Sequence, residues 1–256
     1  MKTLLALLLS PVASLAQSPF DGTWIIDENA WLPKQPQEYS LANGLFRSWG
    51  YTRKEAIKAD GNNHKVPEAS YWDTVSVREL DAHTVEIVAK KAGKTTYTEI
   101  DTVSSDGGTL TQVVKDTTES QMVTTEIVSQ RLSQTPIESH ALSGSWHAYK
   151  VKRSQNGLII KYKCTADGFS ARTLLGEGFN AKFDGKDYPV EDDPAHGMVS
   201  VKLLSPNTVE QTNKRDGKVV GVLRLTVAPD GETIHTTYED KEANTTTTSE
   251  MRKQPR

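Results

Sequence analysis

The sequence predicts an all-β protein built as two tandem antiparallel meander barrels, or half-barrels, and three observations predict it. First, the chain contains itself twice. Displaced by 124 positions, Lys58–Glu126 lies on Lys182–Glu250 without a gap, and 22 of the 69 aligned residues are identical. Unrelated chains would share about 4, taking roughly 6% chance identity from ordinary composition. A repeat of this length fixes architecture before activity. Second, turn chemistry recurs at equivalent places: Asp60-Gly61 on Asp184-Gly185, Gly93-Lys94 on Gly217-Lys218, and Asp106-Gly107 on Asp230-Gly231. Third, Thr, Val, Ile and Tyr dominate between the turns, as pleated half-buried surfaces favour.

The elements follow in order. Residues 1–16 read as a signal peptide, with Lys2 as the positive start, Leu4–Leu9 as the apolar run and Ser14-Leu15-Ala16 as the small-x-small cleavage pattern. The run is too short to span a membrane. Cleavage after Ala16 would leave Gln17 first, with no cysteine to carry a lipid. The expectation is an exported protein, periplasmic or secreted. A first β-domain is expected over 17–134, a polar linker over 135–141 and a second β-domain over 142–256. Each opens with a Gly-x-Trp strand, Asp21-Gly22-Thr23-Trp24 and Ser143-Gly144-Ser145-Trp146. Trp24 and Trp146, being repeated, read as core at the barrel floor.

In the first half, strands are expected at Val75–Leu80, Thr84–Lys90, Lys94–Val103, Leu110–Lys115 and Val123–Gln130. Thr52–Ala59 reads either as a short helical lid or as loop plus strand. In the second half, the strands are Trp146–Lys152, Leu158–Thr165, Phe169–Leu175, Phe179–Phe183, Val199–Leu204, Thr208–Lys214, Val219–Val227, Thr233–Glu239 and Thr245–Arg252. Tight turns join them, and a meander of this kind either exposes two edges or closes into a barrel.

The Gly-x-Trp openings, the Asp-Gly-Lys-Asp-Tyr-Pro-Val stretch from Asp184, Asn207-Thr208-Val209-Glu210 and Lys214-Arg215-Asp216-Gly217-Lys218-Val219-Val220 resemble a group of exported bacterial proteins described as lipocalin-like. The resemblance spans nearly all of the mature chain and is stronger in the second half. It implies an antiparallel barrel or half-barrel per repeat and carries no catalytic motif. Some relatives have a cysteine pair near the stretch Arg47–Gly50. Here the stretch reads Arg47-Ser48-Trp49-Gly50, so no disulfide or metal role is implied.

Composition excludes several function classes. Thirty basic and 33 acidic residues are mixed along the chain for a net charge of −3, so no basic tract tracks nucleic acid phosphates. Cys164 is the only cysteine, which excludes an internal disulfide, and it reads as a small buried strand residue. The six histidines show no metal-ligand spacing, so no metal or other cofactor is expected. No Gly-x-Ser-x-Gly elbow and no phosphate loop occurs.

Positions shared by the halves serve the common scaffold, so candidate chemistry is sought where the halves differ. The face Val219, Gly221, Leu223, Leu225, Val227 becomes Thr95, Tyr97, Glu99, Asp101, Val103 in the first half. Two carboxylates two residues apart point to one face of a strand. In a lumen, Glu99 and Asp101 would be acid or base candidates. The preferred reading displaces the pleat and leaves both solvated outside. Trp31, Phe46, Trp49, Tyr51, Tyr71 and Trp72 crowd into the first half, where they form either a pocket wall or a packed core cap. Among the histidines, His196 is the best ligand contact.

The sequence therefore predicts a binder of a small apolar or amphipathic molecule. Trp49, Tyr51, Tyr71, Trp72, Tyr97 and His196 are the candidate contacts, with neither nucleic acid nor a membrane span as a partner. A hydrolase or isomerase using Glu99 and Asp101, and a structural envelope protein with filled cores, stand as the alternatives.

Overall fold

The computed structural model describes residues 18–52, 55–66, 71–118, 120–133, 139–193 and 195–255, without the side chain of Trp49. The expected signal peptide and residues 135–138 of the expected linker lie outside the described residues. Strands make up more than half of the described residues. They are β1 (Gly22–Ile26), β2 (Gln37–Ala42), β3 (Leu45–Ser48), β4 (Ile57–Lys58), β5 (His64–Lys65), β6 (Thr74–Glu79), β7 (Thr84–Lys91), β8 (Lys94–Val103), β9 (Thr109–Asp116) and β10 (Val123–Arg131). The series continues with β11 (Gly144–Arg153), β12 (Ile159–Cys164), β13 (Gly168–Thr173), β14 (Gly178–Lys182), β15 (Tyr188–Pro189), β16 (Met198–Ser205), β17 (Thr208–Arg215), β18 (Lys218–Val227), β19 (Thr233–Asp240) and β20 (Thr245–Lys253).

The strands form two antiparallel ten-stranded sheets, each curled into a nearly closed barrel, as the repeat predicts. One runs β4-β3-β2-β11-β10-β9-β8-β7-β6-β5, and the other β14-β13-β12-β1-β20-β19-β18-β17-β16-β15. Bridges draw the free edges together, Asp60 with Arg78 in the first barrel and Gly178 with Glu191 in the second. Each barrel has its own core, centred on Phe46, Val75, Val77, Leu110 and Trp146 in one and on Trp24, Phe169, Val201, Leu225 and Ile234 in the other.

The sheets do not follow the midpoint of the chain, because the two opening strands are exchanged. β1 pairs with β12 and β20 in the second barrel, and β11 pairs with β10 and β2 in the first. The two slots are alike, because the two openings carry the same anchor. Trp24 and Trp146 are both fully buried. Trp24 Nε1 donates to the Phe20 carbonyl at 2.8 Å, and Trp146 Nε1 donates to the Leu142 carbonyl at 2.8 Å. The cross-strand neighbour is a cation in each barrel: Lys253 Nζ lies 5.1 Å from the Trp24 ring and Arg131 4.0 Å from the Trp146 ring. The sequence-level reading of both tryptophans as core agrees with this placement.

Two local expectations change. Residues 55–59 form no helical lid; the helical turn α1 sits earlier, at Trp49–Thr52, and β4 follows, in line with the loop-plus-strand alternative. Thr52 Oγ1 donates to the Ser48 carbonyl at 2.9 Å, the back-bond a threonine can add to the carbonyl four residues earlier. Cys164 is half-buried at the end of β12, because β12 ends there and its neighbours thin out.

Candidate functional site

The strand exchange builds the site. To leave β1 in the second barrel and enter β2 in the first, residues 27–36 must cross the seam between barrels. Residues 154–158 cross back from β11 to β12. The crossings pack on each other: Arg153 N donates to Glu28 Oε2 at 3.3 Å, and the Arg153 guanidinium lies 4.6 Å from the Trp31 ring centre. The outward crossing, Ala30 to Gln37, thereby covers one side of the first barrel's mouth, and Ala243, Thr245 and Thr247 of the β19–β20 hairpin line the same opening.

Beneath them lies a cavity of about 950 Å³. That falls within the roughly 300–1,000 Å³ of small-molecule sites. Its apolar wall is aromatic. The Tyr51 and Trp72 rings are 5.4 Å apart, and Trp72 meets Tyr97 edge to face at 5.7 Å. Trp72 Nε1 donates to the Tyr51 carbonyl at 3.3 Å, which fixes the indole against α1. Tyr39, Ser48, Glu99, Gln112, Val114 and Ile127 line it from the strands.

Its floor is polar and buried. Glu99 is 4% exposed, Asp101 0% and Gln112 1%. The Tyr51 hydroxyl donates to Glu99 Oε2 at 2.5 Å. Gln112 Nε2 lies 2.7 Å from Glu99 Oε1, 2.8 Å from the Tyr39 hydroxyl and 3.2 Å from Asp101 Oδ1. Gln112 Oε1 and Asp101 Oδ2 are buried with no partner among the described residues. Burial, then the Glu99 charge, pushes the Asp101 carboxyl well above the usual carboxylate range. Burial beside a second carboxyl group thus favours the neutral form of Asp101. Burial, then Glu99, likewise raises the Tyr39 and Tyr51 phenols, which therefore stay protonated; Tyr51 donates to Glu99, and the Tyr39 oxygen accepts from Gln112.

The preferred sequence reading of Glu99 and Asp101 as solvated outer residues is thus overturned. The pleat is displaced, but too early in the strand to matter: the register shift falls between Ala89 and Lys90, opposite Thr95 to Tyr97. From Tyr97 to Val103 the alternation is regular, so the carboxylates share the inward face of Val103.

The other candidates divide. Tyr51, Trp72 and Tyr97 meet at the cavity. Tyr71 touches Tyr97 edge to face at 6.4 Å, but it enters the mouth of the second barrel and lines a smaller cavity of about 250 Å³ there. His196 is exposed in a turn with φ of 51° and lines neither cavity. Trp49 opens α1, and its side chain lies outside the described residues. Sequence reasoning missed Tyr39 and Gln112. The repeat held the signal for Gln112, whose counterpart is Thr236 on an inward face shared with Leu110.

Among the described residues, no group of three or more His, Cys, Asp or Glu side chains is placed to hold a metal ion. No helix among them is long and apolar enough to cross a membrane. No protein-family profile, no curated protein and no solved structure matches the chain.

Proposed function

We propose that this is an exported protein that binds a small apolar or amphipathic molecule in its first barrel, with the second barrel as a supporting unit. One observation carries the reading: an aromatic-walled cavity of about 950 Å³ ends on a buried polar floor. An apolar body gains by leaving water against Tyr51, Trp72 and Tyr97, and a polar end finds Glu99 and Gln112. The leader pattern of residues 1–16 and the resemblance to exported lipocalin-like proteins support the same reading.

Native mass spectrometry of protein purified from its own host tests it directly, with a retained small molecule expected. Titration with an apolar fluorophore tests it independently. Saturable one-to-one binding is expected, weakened at least tenfold by Trp72→Ala. Absence of saturable binding, or binding indifferent to both Trp72→Ala and Tyr51→Ala, would remove the first barrel as the site.

The buried carboxyl pair favours a second reading, acid–base turnover of the bound molecule by a hydrolase or isomerase. Glu99 faces the cavity and Asp101 stands behind it as a proton reservoir. Under that reading Glu99→Gln retains binding and abolishes conversion.

A further inference from the structure

We infer that the first barrel selects an organic cation, a protonated or quaternary amine on an apolar body, with Glu99 as its counter-charge and the Tyr51, Trp72 and Tyr97 rings as its wall. The inference rests on the binding role proposed for this cavity and names the class of ligand.

A buried carboxylate in the first barrel lacks a cationic partner. Glu99 lines the floor of the lumen and is 4% exposed, with the Asp101 carboxyl on the same inward face. The partners of Glu99 are neutral donors, the Tyr51 hydroxyl and the Gln112 amide. No Lys, Arg or His among the described residues forms an ion pair with either carboxylate. Charged groups do surround the opening: Lys34 and Glu38 line it and are exposed, and the Arg153 guanidinium stacks on Trp31 and donates to Thr125 Oγ1 at 2.8 Å. A buried charge without a counter-ion is costly. A ligand that supplies the missing positive charge recovers that cost, whereas an anion adds to it.

Two further observations point the same way. The walls are electron-rich rings, and a cation is attracted to the face of Trp and Tyr, most strongly when desolvated. Gln112 lines the cavity, is 1% exposed, and its Oε1 has no partner among the described residues. An ammonium N–H that reaches the floor satisfies that acceptor beside Glu99.

The second barrel lacks every part of this arrangement at the equivalent places. Glu99 and Asp101 are matched by Leu223 and Leu225, Gln112 by Thr236, and Tyr97 by Gly221.

The test titrates the full chain calorimetrically with octyltrimethylammonium, octanol and octyl sulfate, which share one alkyl chain. The cation is expected to bind at least tenfold tighter than octanol, and octyl sulfate more weakly than either. Glu99→Gln should abolish the preference, and Asp101→Asn should keep it, because that change leaves the Glu99 carboxylate in place. Where Glu99→Gln fails to unfold cooperatively, Trp72→Leu replaces it; that change should weaken the cation more than octanol. Equal binding of cation and octanol, or a preference unchanged in Glu99→Gln or in its Trp72→Leu replacement, overturns the cation assignment and leaves the cavity as an apolar binding site. Failure of all three probes to bind overturns both readings.

Discussion

The two barrels have the same frame and opposite interiors. Strands β7, β8 and β9 match β17, β18 and β19 residue for residue in length, and Tyr39 of the first barrel stands where Tyr162 stands in the second. The Tyr162 hydroxyl lies 3.7 Å from the Met251 sulfur, in an apolar interior with Leu223 and Leu225, while the Tyr39 hydroxyl accepts from Gln112, whose amide also reaches the carboxyl pair. Bulk is exchanged across neighbouring strands as well. In the second barrel Tyr238 covers Gly221, so closely that a Cβ there would lie 2.3 Å from its hydroxyl oxygen. In the first, the ring belongs to Tyr97, and Val114 takes the place of Tyr238. Moving the ring from one strand to its neighbour fills one lumen and leaves the other with its larger cavity. The scaffold tolerates the change because the frame is set by turns and by the Trp24 and Trp146 anchors, which the barrels share.

The largest test breaks the frame itself. Residues 28–157 contain all ten strands of the first sheet, from β2 to β11, and should unfold cooperatively as an isolated fragment. Residues 158–256 lack β1, leaving β12 and β20 with two unpaired edges and no Trp24 in the core. That fragment should show no cooperative transition by urea unfolding until a peptide of residues 18–27 is added. Cooperative folding of 158–256 alone would mean that β1 is dispensable and that the exchange matters little.

Next in size, the anchors separate from the cavity wall. Trp24→Ala and Trp146→Ala should each destabilise by about 3–5 kcal/mol, the usual cost of truncating a large buried ring. Their near equality would show that the two slots are alike. Trp72 is half-buried, so Trp72→Ala should cost clearly less while removing a wall of the cavity. Thermal unfolding read beside ligand titration distinguishes the cases, and equal losses for all three would make Trp72 core.

Much of the frame was legible in the chain. Turn dipeptides and alternating Val and Thr marked the strands of both halves from Val75 and from Trp146 onward. The strands β2 to β5 were less legible, because β4 and β5 are two residues each and β2 and β3 carry Glu38 and Arg47 among their apolar residues. The exchange of β1 and β11 was not legible at all. Gly-Thr-Trp and Gly-Ser-Trp present the same anchor, and nothing local distinguishes which barrel each enters. The cavity was half legible: Tyr51, Trp72 and Tyr97 were marked by aromatic crowding and by difference from the repeat. Tyr39 was hidden by its likeness to Tyr162, and the inward turn of Glu99 depended on where a bulge falls.

A smaller effect probes the polar floor through pH. Asp101 has a raised carboxyl pKa in the folded chain, against about 3.9 when unfolded. Below that value both states are protonated and the group costs nothing. As pH rises above it, the unfolded chain releases a proton that the native state keeps, so folding stability falls with pH. Asp101→Asn removes that slope. The variant should therefore gain on the wild type between pH 3.5 and 7.5, measured by urea unfolding. A difference independent of pH would mean that Asp101 is not the protonated member of the pair.

The smallest expected difference lies in one matched turn. The β7–β8 hairpin turns through Ala92-Gly93 with φ of 48° and 80°, and the β17–β18 hairpin through Asp216-Gly217 with φ of 49° and 74°. Both positions need the left-handed conformation of a two-residue hairpin, which glycine adopts freely and aspartate tolerates far better than alanine. The first barrel thus carries the poorer residue at an otherwise identical turn. Ala92→Asp should stabilise by less than about 1 kcal/mol, and Asp216→Ala should destabilise by a similar amount. The carboxylate of Asp73, which accepts from Ala92 N at 2.8 Å, would oppose a new aspartate. Ala92→Asn separates the two contributions, since it keeps the left-handed tolerance without the charge. If Asn stabilises and Asp does not, repulsion by Asp73 is the reason the first barrel kept its alanine; if neither does, the turn is held by its strands and the residue is indifferent.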